Sequence, residues 1–224
     1  VEIICVGNEL LIGKTLNTNA QWLADQITRL GGKVARIMEV GDDVQEIASV
    51  VKEALKRKVD FVITSGGLGP TFDDKTLQGI SRATGKKLKL NPEALRLVRD
   101  RYKEMSVPKR LRLTKPRVKM AILPEGSSPI PNPIGTAPGV LVERGSSKLI
   151  SLPGVPKELK AIFEKSVAEM MREKSGNLSF YESNMIVRGI VESALAPLID
   201  RVMRGNPRVY VKSHPKGGEG RTGA

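Results

Sequence analysis

Short apolar runs alternate with helix-period segments through the first third of the chain, and that alternation limits the fold more than any other feature. Residues 1–6, 34–40 and 59–64 are rich in Val and Ile and have strand length. Between them, Ala20, Leu23, Ala24, Ile27 and Leu30 recur at helical spacing, as do Ile47, Val50, Val51, Ala54 and Leu55. Asn17 or Thr18 suits the start of the first helix, Gly31-Gly32 its end, and Gly41-Asp42-Asp43 the start of the second. Strands apolar on both sides need cover on both faces, and short connections favour right-handed crossovers. The expected fold is α/β: a three-layer α/β/α sandwich with a mostly parallel sheet. Ligands of such sheets sit beyond the carboxyl ends of the strands. Three polar loops are expected to converge there: residues 7–17, residues 41–43, and the loop after the third strand.

That third loop is the densest chemical signal. Residues 64–76 read Thr-Ser-Gly-Gly-Leu-Gly-Pro-Thr-Phe-Asp-Asp-Lys-Thr, with an apolar run before them and Leu77 and Ile80 opening a helix after them. Gly66, Gly67 and Gly69 let the backbone turn tightly and approach a ligand. A helix N-terminus beyond them offers unpaired N–H groups and a positive dipole end to a phosphate. Asp73 and Asp74 fit two roles: capping the helix, or holding a divalent cation, which takes oxygen ligands.

The remaining chain reads less evenly. Residues 92–105 are helical, with Asn91 as cap and Pro92 in the first turn. Residues 106–116 are basic and irregular, and 119–124 look like a short strand. Residues 125–139 hold four prolines and read as a long functional loop. Residues 139–143 and 148–152 form a hairpin around Gly145-Ser146. Leu152-Pro-Gly-Val-Pro156 then leads into a helix from Lys157, a second strand–Gly–helix junction. After Ser175-Gly176-Asn177, residues 181–191 and 209–212 read as strands and 192–203 as a helix. The division is residues 1–173 for the main domain and 174–224 for a small α+β domain, with a flexible Gly-rich tail.

Composition narrows the chemistry. With 224 residues, 40% hydrophobic and 27% charged, the chain is globular and long enough for a large core. A single cysteine, Cys5, and a single histidine, His214, exclude a Cys/His zinc cluster. Cys5 in its apolar run is expected to be a buried thiol, His214 structural or superficial, and Trp22 a packing residue. No signal-peptide pattern or membrane-length apolar run is visible, so a cytoplasmic location and no membrane partner are expected. A net charge of +13 favours anionic partners, nucleotides above all. Nucleic acid is a weaker candidate, because only Tyr102 accompanies the basic stretch 96–119.

Five motifs give the chain a resemblance. Gly66-Gly-Leu-Gly-Pro-Thr-Phe-Asp-Asp-Lys-Thr76 resembles the signature loop of the molybdopterin-binding superfamily. Gly7-Asn-Glu-Leu-Leu-Ile-Gly13 with Asn17-Thr-Asn19, Asn132-Pro-Ile-Gly-Thr-Ala-Pro-Gly139, Leu152-Pro-Gly-Val-Pro-Lys-Glu158 and Lys212-Ser-His-Pro-Lys216 narrow it to the amino-terminal domain of the CinA (competence-damage-inducible) family. They span roughly residues 1–216. The resemblance implies a small KH-like second domain and hydrolysis of ADP-ribose to AMP and ribose 5-phosphate with a divalent metal (Mg, Mn or Co). The deamidase domain of longer family members is not carried over, and the small domain departs from the family pattern after the Lys-Ser-His-Pro motif. Relatives form homo-oligomers, so at least a dimer is expected.

Pyrophosphate hydrolysis needs charge neutralisation and an oriented water. On this reading Asp73 and Asp74 bind metal or orient water, with Asp42 assisting. Gly66, Gly67, Gly69, Pro70, Thr71 and Thr76 form the phosphate cradle. Asn8 and Glu9 contact ribose or metal, and Asn132, Gly135 and Thr136 close the pocket. Asp42 as a helix cap and Glu9 as a solvated loop residue stay open as alternatives. Two other classes also stay open: molybdopterin binding or adenylylation, and a nucleic-acid module, whose only Gly-X-X-Gly candidate is residues 217–220.

Overall fold

The computed structural model describes residues 1–105, 113–176 and 180–214. They form two compact units, Val1–Tyr181 and Glu182–Ala224. The Gly-X-X-Gly candidate at 217–220 lies outside the described residues, as do residues 106–112 of the basic segment 106–116.

The first unit is built on a six-stranded sheet in the order β2-β1-β3-β8-β7-β6. Its strands are β1 (Glu2–Val6), β2 (Arg36–Val40), β3 (Phe61–Ser65), β6 (Ser128–Ile130), β7 (Gly139–Arg144) and β8 (Ser147–Leu152). β1 runs parallel to β2 and β3, and β3 parallel to β8. β7 is antiparallel to β8 and to β6. A separate antiparallel pair joins β4 (Leu88–Leu90) to β5 (Ile122–Pro124).

Strand alternation divides the core. Ile3 and Cys5 of β1, Phe61 and Ile63 of β3, and Ile150 and Leu152 of β8 face one layer. There they meet Ala20, Leu23 and Ile27 of α2 (Thr18–Arg29) and Leu159 and Ile162 of α7 (Pro156–Ile162). Ile4, Val6, Val62 and Leu149 face the other layer, against Ile47, Val51 and Ala54 of α3 (Val44–Lys56), Ile80 of α4 (Thr76–Thr84) and Ala94 of α5 (Pro92–Glu104). This is the expected sandwich. Burying each such Ile, Leu or Val contributes about 1.5–3 kcal/mol. Glu2, only 1% exposed, is neutralised by Arg57 through two bonds of 2.7 Å.

α7 continues through a π-helical turn (Phe163–Val167) into α8 (Ala168–Ser175). Phe163 meets Trp22 edge-on with ring centroids 5.3 Å apart, and Lys160 places its ammonium 5.4 Å from the Trp22 ring centre. Trp22 is thus a packing residue.

Several expectations are corrected. The loop after β1 begins with a one-turn helix, α1 (Asn8–Leu11). The strand read at 119–124 begins only at Ile122, because Lys115–Lys119 form a short helix, α6. The loop read at 125–139 contains β6, held in the sheet by pairing with β7. Asp73 and Asp74 do not cap α4: its N-cap is Lys75, which makes no side-chain cap bond.

In the second unit, α9 (Glu192–Gly205) forms where a helix is expected. Among the described residues, neither 181–191 nor 209–212 pairs as a strand. Alternation marks an apolar face but supplies no neighbour for the backbone N–H and C=O groups. Met185, Ile186 and Tyr210 are exposed, as is His214. Among the described residues no helix is long and apolar enough to cross a membrane.

Candidate functional site

The carboxyl ends of β1, β3 and β8 open into a cavity of about 370 Å³. The three polar loops converge there as expected: Gly7 and Glu9, Asp42, and Gly66 to Pro70 with Asp73 and Asp74 all line it. Pro153, Gly154 and Val155 of the second junction complete the floor, and Thr136, Ala137 and Glu158 the far wall. Asn19 staples the two junctions, donating to Ser65 Oγ at 3.0 Å and Gly154 O at 2.8 Å.

The turn after β3 requires glycine at Gly66. Its φ is +105°, and a Cβ there would lie 2.2 Å from the Val6 carbonyl oxygen. Its N–H donates to Leu152 O at 3.0 Å, tying the strand ends together. Thr76 is fully buried beneath the turn, its hydroxyl donating to Gly66 O at 2.8 Å. Thr76 therefore braces the loop from below, while Gly66, Gly67, Gly69 and Pro70 face the cavity.

Beyond the turn the loop is acidic and exposed. Asp74 Oδ2 accepts from Thr71 N at 2.8 Å and from Thr71 Oγ1 at 2.6 Å, while Asp73 Oδ1 lies close against the same hydroxyl. One hydroxyl has one proton, so it serves only one carboxylate at a time. A cation would relieve the crowding. Bonds from the Thr71 hydroxyl and its own backbone N–H hold the Asp73 carboxyl below the usual carboxylate range. Lys119 closes the loop from outside, donating to Gly69 O at 3.4 Å, Asp74 O at 2.8 Å and Thr71 O. Burial pulls its pKa down, against the opposing pull of Asp74 and Asp73.

Asp42 and Asp43 separate cleanly. Asp43 is the cap of α3, accepting from Gln45 N and Glu46 N, which lowers its pKa. Asp42 lines the cavity and pairs reciprocally with Asn8: Asn8 N donates to Asp42 Oδ2 at 2.9 Å, and Asp42 N to Asn8 Oδ1 at 3.1 Å.

The far wall is a buried polar network. Asn132, 4% exposed, donates to Ala137 O at 2.8 Å and Glu158 Oε2 at 2.7 Å. Its Oδ1 accepts from Ile134 N at 3.1 Å and Gly135 N at 2.8 Å. A Cβ at Gly135 would sit 1.9 Å from Glu158 Oε2, so any side chain there would displace that carboxylate. Arg101 holds this wall from α5, donating to Gly135 O at 3.1 Å and Ile134 O at 2.6 Å. Asn132 and Gly135 thus shape the wall that Thr136 and Glu158 present to the cavity.

Sequence reasoning missed Glu158 and Lys119. Glu158 lies in the second strand–Gly–helix junction, so that junction was its signal. Lys119 had none beyond its place in a basic stretch.

Residues 2–173 match the family described as probable molybdopterin binding domain. The chain belongs to that family. The chain is 51% identical over 217 residues to a protein of Aeropyrum pernix, covering 97% of this chain and 79% of the relative. Its fold is similar to the crystal structure of CinA, a protein with unknown function from Thermoplasma acidophilum, at 41% identity and a TM-score of 0.69, over 75% of this chain and 97% of that one. A molybdopterin biosynthesis protein from Mycobacterium abscessus shares the fold at 17% identity, with a TM-score of 0.52, over 78% of this chain and 93% of that one. The CinA-like resemblance read from the motifs therefore stands in sequence and in fold.

Among the described residues, no three Asp, Glu, His or Cys side chains come together closely enough to cage a metal ion by themselves. Mg²⁺ does not need such a cage, since one or two carboxylates and substrate phosphate oxygens suffice. Asp73 and Asp74, crowded about one hydroxyl at the cavity edge, fit that requirement.

Proposed function

We propose that this cavity hydrolyses the pyrophosphate of an anionic nucleotide, ADP-ribose, to AMP and ribose 5-phosphate, with a divalent cation. One observation carries the reading. Glu9, Asp42, Asp73, Asp74 and Glu158 line the cavity together, and no Lys, Arg or His is among its described lining residues. Such a site repels a bare polyanion and accepts one whose charge is neutralised by metal. The bound cation supplies that neutralisation and polarises the phosphoryl oxygens. Asp73 and Asp74 would hold it, and Gly67, Leu68 and Gly69 offer the pyrophosphate backbone N–H donors. The Gly66 N–H is bonded to Leu152 O and the Thr71 N–H to Asp74 Oδ2, and Pro70 has none. Asp42 is fixed by Asn8 and orients the attacking water. Glu9 and Glu158 accept hydrogen bonds from ribose hydroxyls. The partner is thus a nucleotide, and a homo-oligomer with a KH-like second unit belongs to the same reading.

The family match favours a second reading, binding or adenylylation of molybdopterin. Titration with molybdopterin separates the two: affinity without ADP-ribose turnover selects the second. The test of the first is product analysis. The protein is incubated with ADP-ribose and Mg²⁺, Mn²⁺, Co²⁺ or no metal, beside Asp73→Ala and Asp74→Ala, and nucleotides are separated by chromatography. Metal-dependent AMP release that both variants lose is the expected result. Folded protein that releases no AMP with any of the metals overturns the assignment.

A further inference from the structure

We propose that Lys119 is a positioning residue that turns the peptide N–H groups of the acidic loop away from its own ammonium and toward the oxygens of a bound pyrophosphate, which rests on reading that loop as a phosphate site. Lys119 ends α6, more than forty residues along the chain from the loop it holds. An ammonium has three donors, and here three carbonyls receive them: Gly69, Thr71 and Asp74. With its donors taken, Lys119 is not itself the phosphate ligand. The cavity beside it is lined instead by the next residue, Met120.

The consequence follows from peptide geometry. The described peptide bonds are trans. In a trans peptide the C=O of one residue and the N–H of the next lie in one plane and point opposite ways. Gathering the Thr71 and Asp74 carbonyls onto one cation therefore turns the Phe72 and Lys75 N–H groups to the opposite side. Lys75 is also the N-cap of α4 and makes no side-chain cap bond. The first N–H inside that helix, Thr76 N, is already taken by Gly67 O at 3.2 Å, so the donors turned out are those of Phe72 and Lys75. Without the ammonium, three carbonyls would crowd together with nothing to hold them, and those peptides would be free to flip their oxygens toward the anion.

The experiment compares the protein with Lys119→Met, which keeps the stem and removes the donors, and Lys119→Arg, which keeps a cationic donor. Calorimetric titration with inorganic pyrophosphate at saturating Mg²⁺ reads binding, independent of turnover. Thermal unfolding is followed in parallel. Lys119→Met is expected to bind about 10- to 100-fold more weakly, the range for losing a charge-assisted arrangement. Lys119→Arg is expected to recover most of that loss. In the unsubstituted protein, amide spectra should show the Phe72 and Lys75 N–H signals moving downfield on pyrophosphate addition, which serves if Lys119→Met fails to fold. Unchanged affinity in folded Lys119→Met overturns the proposal. So does equal weakness in both variants, still amide signals, or no pyrophosphate binding by the unsubstituted protein. Lys119-dependent pyrophosphate binding without AMP release from ADP-ribose would retain this role and discard the hydrolase reading.

Discussion

Two loops line the same cavity and are held in opposite ways. The far wall, around Asn132 and Gly135, is fixed by a buried amide that makes four hydrogen bonds. The acidic loop is exposed, with Phe72 89% accessible, and is held by a hydroxyl between two carboxylates and by one lysine. A buried network is costly to leave half-satisfied, so it rigidifies. Exposed charges contribute little to stability and respond readily to a ligand. On the proposed function, the contrast predicts stability from one wall and chemistry from the other.

The largest expected effect tests that division directly. Asp74→Asn should lower AMP release by about 100-fold or more, the scale of losing one charge-stabilising group. Its melting temperature should stay within a few degrees of the unsubstituted protein. A large loss of stability would break the division. Asn132→Ala is the converse. Several buried partners lose their bonds, and a cost of about 2–4 kcal/mol is expected in denaturant titration. A midpoint that does not move would show the far wall to be no firmer than the acidic loop.

Thr71→Val should be smaller, about a tenfold loss of turnover. It also carries a pH signature. The Thr71 hydroxyl is the main cause of the low Asp73 pKa, so its removal raises that pKa. The acid limb of the pH–rate profile should then move to higher pH, and a limb that stays in place would remove Asp73 from the rate-determining ionisation. The smallest effect concerns Cys5, whose thiol burial pushes up to about 11. Alkylation by iodoacetamide at neutral pH should be negligible in the protein and in both acidic-loop variants. It should rise measurably only in Asn132→Ala, through opening of the destabilised fold.

The sheet was legible because its signal is periodic. Alternating faces of β1, β3 and β8 place Ile3 and Ile4, or Val62 and Ile63, in different layers, and any apolar run of that length carries this information. The three-residue strands β4, β5 and β6 were missed or misplaced, since so short a run has no period to read. Within the site, the glycines and the acidic pair announced themselves by crowding. The roles of neighbours did not: Asp42 and Asp43 are equivalent in sequence, and only the fold turns one to the cavity and the other to α3. Lys119 was illegible for a different reason. A cation on distant backbone carbonyls depends on no side-chain pattern in either segment.

The contact between Trp22 and α7 makes this chain report on itself. Trp22 is the only tryptophan, and excitation at the red edge of its absorption selects it alone. Its ring touches Phe163 and lies beneath the Lys160 ammonium, two residues beyond Glu158 at the cavity wall. A shift of α7 that moved that ammonium relative to the indole would change its emission. Ligand binding that displaces α7 is therefore expected to register in intrinsic fluorescence, in unlabelled protein and with substrates that are never turned over; emission unchanged at saturating ligand would show that α7 stays in place.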